Sequence, residues 1–107
     1  MSNLNSVIIE GRLLKGTRLG STYSGKPLYR FTIETVRSER GKEPEVSDFE
    51  IEAFGMLCEQ FLKVKEDSVV RIVGYLREDK HKDSGGNEIP GFVIAAEHIE
   101  TRPVYNY

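Results

Sequence analysis

The 107-residue sequence predicts an all-β domain in which five strands curl into a small, partly open barrel, with one short helix between strands three and four. Three observations predict it. Several segments alternate apolar and polar residues with period two, one segment has helical spacing, and turn-forming residues separate them. A chain of this length suits one domain with one modest core.

The first half of the chain supplies three predicted strands. Residues 6–14 form an apolar run that Gly11 interrupts, which is typical of a bulge or a bend at a barrel corner. After turn residues that include Pro27, residues 28–36 alternate, and residues 48–54 alternate again. Alternation predicts one face of each strand in the core and the other in solvent.

The second half supplies the helix and two more strands. Residues 56–64 carry apolar pairs at i,i+4 spacing, which predicts a short helix with one apolar side. Residues 69–77 return to period two, and residues 89–99 form the last strand. Pro90 interrupts this strand, so we expect it at an edge or a bulge.

The whole chain, 1–107, is therefore predicted as a single domain with an ordered core at about 4–102. Two polar stretches, at about 37–46 and 79–90, are predicted to be flexible loops. Curling five strands into a barrel removes exposed sheet edges. This element order is that of the oligonucleotide/oligosaccharide-binding (OB) fold. A six-stranded ferredoxin-like arrangement requires a second helix, which the pattern does not contain.

Composition narrows the class of protein. Hydrophobic residues make up 38% and charged residues 30%, and no apolar run approaches the ~20 residues that span a bilayer. We expect a cytoplasmic protein with no membrane contact. Cys58 is the only cysteine and there are two histidines, so an internal disulfide is excluded, and neither a metal site nor a cofactor is expected. The net charge of −2 argues against nucleic-acid binding unless the basic residues are concentrated locally.

Four stretches, in the same order, resemble the bacterial single-stranded DNA-binding protein family: residues 4–13, 24–33, 48–59 and 70–77. Together they extend the resemblance over roughly residues 4–102. The sequence has no counterpart of the family's glycine-rich linker and acidic tail, and a short barrel without a tail is also similar to primosomal replication protein N.

The resemblance implies a protein that is not an enzyme and that binds single-stranded DNA without sequence preference, in replication, repair or recombination. It also implies a nucleoid-associated homodimer or homotetramer. Such binding needs aromatic faces for bases and cations for phosphates. The predicted stacking residues are Phe54, Tyr75, His81 and Phe49, and the predicted phosphate contacts are Lys26, Arg30, Arg71, Arg77, Lys80 and Lys82. For Phe49 a place in the core is the alternative. For the arginines the alternative is an ordinary hydrated sheet face.

Three acids lie on the third predicted strand. Asp48, Glu50 and Glu52 are expected on the same solvent-facing side as Phe54, where carboxylates would repel phosphate. They suggest either a Mg²⁺-dependent nuclease or pairing with Arg30 or Arg71 across the sheet. Because no histidine or lysine stands beside them as a base, pairing is favoured.

Two further expectations concern partners. The last strand is apolar on both faces, with Phe92, Ile94 and Ala96 on one face and Val93 and Ala95 on the other, and an exposed apolar strand predicts a homo-oligomer interface. The net negative charge and the small number of aromatic residues leave an alternative function open. In that alternative the barrel is an interaction module for replication or repair proteins, with weak affinity for single-stranded DNA.

Overall fold

The computed structural model describes residues 2–14, 18–21 and 27–101. Its elements, in chain order, are β1 (Val7–Leu13), β2 (Arg18–Ser21), β3 (Pro27–Arg37), β4 (Glu45–Phe54), α1 (Met56–Leu62), β5 (Val69–Glu78), β6 (His81–Lys82), β7 (Glu88–Ile89) and β8 (Phe92–Thr101).

Five of these strands close into a barrel. They pair in the order β1-β5-β8-β4-β3, and β1 then pairs with β3, so the sheet returns on itself. The neighbours are antiparallel except β4 and β8, which are parallel. This arrangement is consistent with an OB fold and confirms the predicted all-β barrel. Outside the barrel, β2 pairs with the first half of β3, and β6 pairs with β7 as a separate two-stranded arm.

The barrel closes because β1 changes partner at a bend. Residues 7–12 pair with β5, whereas Arg12 and Leu13 pair with β3. At the bend, a Cβ atom on Gly11 would lie 2.5 Å from the carbonyl oxygen of Glu34. Only a residue without a side chain allows this close approach, which agrees with the corner position predicted for Gly11.

The core lies inside the barrel and consists of the inward residues of the five strands. Helix α1 follows β4, and Leu57 of the helix and Val64 beyond it pack against this core. No helix in the described part of the chain is long and apolar enough to cross a membrane. The buried core residues are Leu13, Tyr29, Phe31, Ile33, Ile51, Ala53, Val70, Ile72, Ile94, Ala96 and Ile99.

The strands extend further into the polar stretches than the sequence predicts. The ladder between β3 and β4 continues to the pair Arg37 and Glu45, so the connection shrinks to residues 38–44. Backbone hydrogen bonds between strands do not require apolar side chains, so charged residues can extend a hairpin. Such residues do not alternate between apolar and polar, and the sequence pattern therefore does not reveal them. The short strand β2 was not predicted. Ile89, predicted to begin the last strand, belongs instead to β7 of the arm, and the last strand begins at Phe92.

Strand β8 corrects one expectation. Val93 is 0% exposed and Ala95 is 1% exposed in the single chain, although neither belongs to the core cluster inside the barrel. Alternation with Ile94 and Ala96 places both on the outer side of the barrel. The prediction of an exposed apolar surface is therefore wrong for Val93 and Ala95, which the same chain covers, whereas Phe92 at the start of the strand is 61% exposed.

Candidate nucleic-acid interface

The candidate site is the solvent side of β3, β4, β8 and β5, which we call the outer face. The strand register aligns one residue from each strand across it. Arg30 pairs with Glu52, Glu52 with Ala95, and Ala95 with Tyr75. With ~4.8 Å between neighbouring strands, this row is about 14 Å wide. Several of the predicted DNA-contacting residues lie in or beside it.

Glu52 occupies the middle of the outer face and is buried, at 2% exposure. Its Oε1 accepts hydrogen bonds from Nε and Nη2 of Arg30 at 3.2 and 3.0 Å. From the other side, Nε of Arg77 donates to its Oε2 at 3.0 Å and Nη2 donates to the same oxygen at 2.7 Å. The expectation that Glu52 faces solvent is wrong. Two guanidinium groups close over the carboxylate and supply the hydrogen bonds that a buried charge requires.

Asp79, just after β5, is the second acid of the site. Nη1 of Arg30 donates to its Oδ2 at 3.2 Å, and Nε2 of His81 lies 3.2 Å from the same oxygen. Burial raises the pKa of the Asp79 carboxyl, but the hydrogen bond from Arg30 and the charges of Arg30, His81 and Arg77 outweigh burial and hold that pKa below its ordinary value. Burial likewise opposes the charge of Arg30, while Glu52 and Asp79 raise its pKa.

Arg30, Glu52, Arg77 and Asp79 therefore form one connected set, which we call the arginine–carboxylate network. Two guanidinium groups and two carboxylates sum to zero charge when all are ionised. Two residues predicted as phosphate contacts, Arg30 and Arg77, are thus neutralised by acids of the same chain. The network confirms the predicted pairing of a β4 acid with Arg30.

The other predicted cations differ in their surroundings. Arg71 pairs with Glu10 on β1 at 3.1 Å, so Arg30, and not Arg71, is the arginine of the predicted pair with a β4 acid. Lys80 lies 3.6 Å from Glu78 at the end of β5. Lys82 on the arm is exposed and makes no ion pair with the described residues. Lys26 lies outside the described residues.

The aromatic candidates are distributed unevenly. Tyr75 is on the outer face and 37% exposed, and Phe54 ends β4 on the side of Glu52, half-buried. His81 is exposed at the base of the arm. Phe49 is also half-buried but packs against the core, which favours the core alternative stated for it.

Sequence reasoning missed what lies beneath the network. Val93 is in register with Arg77, and Ala95 with Tyr75 and Glu52, so these long side chains cover the apolar outer side of β8. Apolar residues on both faces of one strand were the available signal, because such strands are typically covered on both sides. In the described part of the chain, no three His, Cys, Asp or Glu residues are placed to hold a metal ion together.

Comparison with known proteins identifies the family. None of the curated proteins matches this sequence. The model of the single-strand binding protein family matches residues 4–101, from the segment before β1 to the last residue of β8. The match covers the whole barrel and confirms the resemblance found in the sequence. The chain therefore belongs to the single-strand binding protein family, and membership implies single-stranded DNA binding.

Proposed function

We propose that this protein binds single-stranded DNA without sequence preference, in replication, repair or recombination, and that it carries out no catalysis. The observation that carries the proposal is the family match over the whole barrel. Stacking on aromatic faces tolerates any sequence because every base has a planar face. Contacts to phosphates are equally indifferent to sequence.

We place the bound single-stranded DNA on the outer face of the barrel. Tyr75 and Phe54 are partly exposed there, and Arg71 lies on the same side of β5 as Tyr75. The arm adds Lys80, His81 and Lys82 beside this face, and Lys82 makes no ion pair within the described part of the chain. In this proposal, Tyr75, Phe54 and His81 stack bases, while Arg71, Lys80 and Lys82 contact phosphates. Lys26, outside the described residues, stays a proposed phosphate contact.

The test is a titration of the protein with a labelled oligo-dT, a mixed-sequence strand and a duplex of equal length, at two salt concentrations. We expect similar affinity for the two single strands and weaker binding of the duplex. The logarithm of the association constant should fall with log salt by ~0.7 for each phosphate neutralised. Equal binding of duplex and single strand would contradict the proposal.

One substitution tests the placement. Arg71→Ala should lower the salt slope by ~0.7 for every single strand, because one phosphate contact is lost. Arg12→Ala is the matched control, since Arg12 is also ion-paired, to Glu34 and Asp67, but is not part of the proposed site. If Arg71→Ala leaves the salt slope of the association constant unchanged, the bound DNA does not pass over the start of β5.

The ion pairs that the arginines of the outer face make within the chain favour a second function. Arg30, Arg71 and Arg77 all bind carboxylates of their own chain, which leaves little positive charge for phosphates. The barrel would then act as an interaction module for other replication or repair proteins, similar to primosomal replication protein N. Binding of oligo-dT no tighter than that of duplex, at both salt concentrations, would favour this alternative.

We also propose a homodimer or homotetramer. Residues Val7–Gly11 of β1 pair with β5, whereas the described pairing with β3 involves only Arg12 and Leu13. Within the described part of the chain, no second strand pairs with residues 7–9, so one edge of β1 is available there for backbone pairing, and Ile8 in the same segment is 72% exposed. Light scattering at micromolar concentration should give a multiple of the 12.2 kDa chain mass. A monomer mass would contradict this.

A further inference from the structure

The hydrogen bonds of Arg77 occupy most of the edge of its guanidinium group. Nε and Nη2 donate to Glu52, and Nη1 donates to the backbone oxygen of Glu78 at 3.1 Å. All three nitrogens are therefore engaged in the plane of the group. The side chain is nevertheless 39% exposed.

The neighbours of Arg77 indicate which part is exposed. Arg77 is in register with Val93, whose outward side chain is fully buried, and Glu52 is in register with Ala95 on the same side of β8. Arg77 reaches across β8 to Glu52, over these small apolar residues. A guanidinium with one planar face against the sheet here would turn its opposite face to solvent, which agrees with the 39% exposure of the side chain.

A guanidinium plane in this state suits a base better than a phosphate. A phosphate needs a pair of N–H groups at the edge, and most of those of Arg77 already donate to Glu52 and Glu78. A base stacks on the planar face, and an arginine plane serves as a stacking surface as an aromatic ring does. Glu52 also fixes the orientation of the plane, so little conformational entropy is lost when a base stacks on it.

We propose that Arg77 is a base-stacking platform on the outer face, positioned by Glu52, and that it is not a phosphate contact. The proposal rests on the single-stranded DNA binding proposed above. Tyr75 lies two residues earlier on the same side of β5, about 6.6 Å away along the strand. Arg77 and Tyr75 then present two successive surfaces for neighbouring bases. Arg30 is less suited, because its side chain is only 19% exposed.

The test separates bases from phosphates. Affinity is measured for oligo-dT and for an abasic strand of equal length, whose residues carry phosphates but no bases. Arg77→Lys keeps the charge and removes the plane. We expect affinity for oligo-dT to fall about 5- to 150-fold, the range that corresponds to one base stack of ~1–3 kcal/mol. Affinity for the abasic strand and the salt slope should change little.

Arg12→Lys is the matched control, an identical replacement at another ion-paired arginine, and it should leave both affinities unchanged. If Arg77→Lys preserves oligo-dT affinity, or lowers both affinities equally, the stacking role is overturned. Failure of the unaltered protein to bind oligo-dT would instead overturn the proposed function itself.

A spectroscopic measurement on the unaltered protein is independent of the variant's stability. The Nε–H resonance of Arg77 should move upfield when oligo-dT is added, because the proton then lies near the face of a base. The abasic strand should produce no such shift. Equal shifts with both strands would overturn the proposal.

Discussion

Arg77 on β5 and Glu52 on β4 are joined by a two-point contact, with Nη2 of Arg77 2.9 Å from Oε1 and 2.7 Å from Oε2 of Glu52. Their strands are not neighbours, because β8 lies between them. The pair therefore crosses over β8 and ties two separated strands on the outside of the barrel. Arg30, on β3, extends the same contact to a fourth strand.

Removing Glu52 should destabilise the fold strongly. Glu52→Ala leaves Arg77 and the partly buried Arg30 without their shared acceptor. Breaking one partner of a buried ion pair typically costs ~3–5 kcal/mol in the free energy of unfolding. Urea denaturation monitored by circular dichroism measures this loss. Glu50→Ala, at an exposed position on the same side of the same strand, should change stability by less than ~0.5 kcal/mol. Equal effects of the two variants would show that the network does not stabilise the barrel.

Acidification should weaken the network through Asp79. The pKa of this carboxyl in the folded protein lies below its ordinary value of 3.8, because Arg30 outweighs burial. The ionised contact thus stabilises the fold fully above about pH 4 and is lost as the pH falls through the lower, folded-state pKa. Asp79→Asn should be less stable than the unaltered protein at pH 7, and the difference should shrink as the pH falls below about 4. Urea denaturation at pH 7 and at several pH values below 4 measures the free energy of unfolding of both proteins. A difference between them that stays constant with pH would contradict the prediction.

The core was predictable from alternation. Period-two patterns in β3, β4 and β5 place Phe31, Ile33, Ile51, Val70 and Ile72 inside the barrel, as found. These assignments depend only on which side of a strand each residue occupies, and that follows directly from the sequence.

The network was only partly predictable. A single acid between apolar residues is expected in solvent, and Glu52 is buried only because Arg30 and Arg77, 22 and 25 residues away, converge on it. Val93 and Ala95 on the outer side of β8 were predicted to be exposed, because the charged residues that cover them come from other strands. Their long aliphatic stems nevertheless bury apolar surface well. Both features depend on contacts between distant segments.

A bulge next to the site should make Gly74 intolerant of a side chain. Val73 pairs with His98 and Gly74 with Ala96, so Glu97 is an extra residue on β8. A Cβ atom on Gly74 would lie 2.0 Å from the carbonyl oxygen of Ala95. Gly74→Ala should therefore cost at least ~1–3 kcal/mol, because backbone must shift. Gly85→Ala is the control, since its nearest neighbours are side-chain atoms at 3.4 Å or more. Thermal melting should show a clear loss for the first variant only.

The last prediction separates two effects of Glu52 on DNA binding. Glu52→Gln removes a negative charge beside two arginines, so the abasic strand should bind more tightly, with a salt slope steeper by up to ~0.7. The amide also holds Arg77 less firmly, so the part of the affinity that depends on bases should fall. The ratio of oligo-dT affinity to abasic affinity should therefore decrease, and the gain for the abasic strand should vanish at high salt.

Glu50→Gln provides the matched control, because it removes the same charge from the same side of β4 without touching the network. It should tighten binding of both strands to a similar degree and leave their ratio unchanged. Anisotropy titrations with labelled oligo-dT and labelled abasic strand, each at low and high salt, give the four affinities that are compared for each variant. If both variants change the two affinities in the same proportion, Glu52 acts on DNA only through its charge, and the orientation of Arg77 has no part in binding.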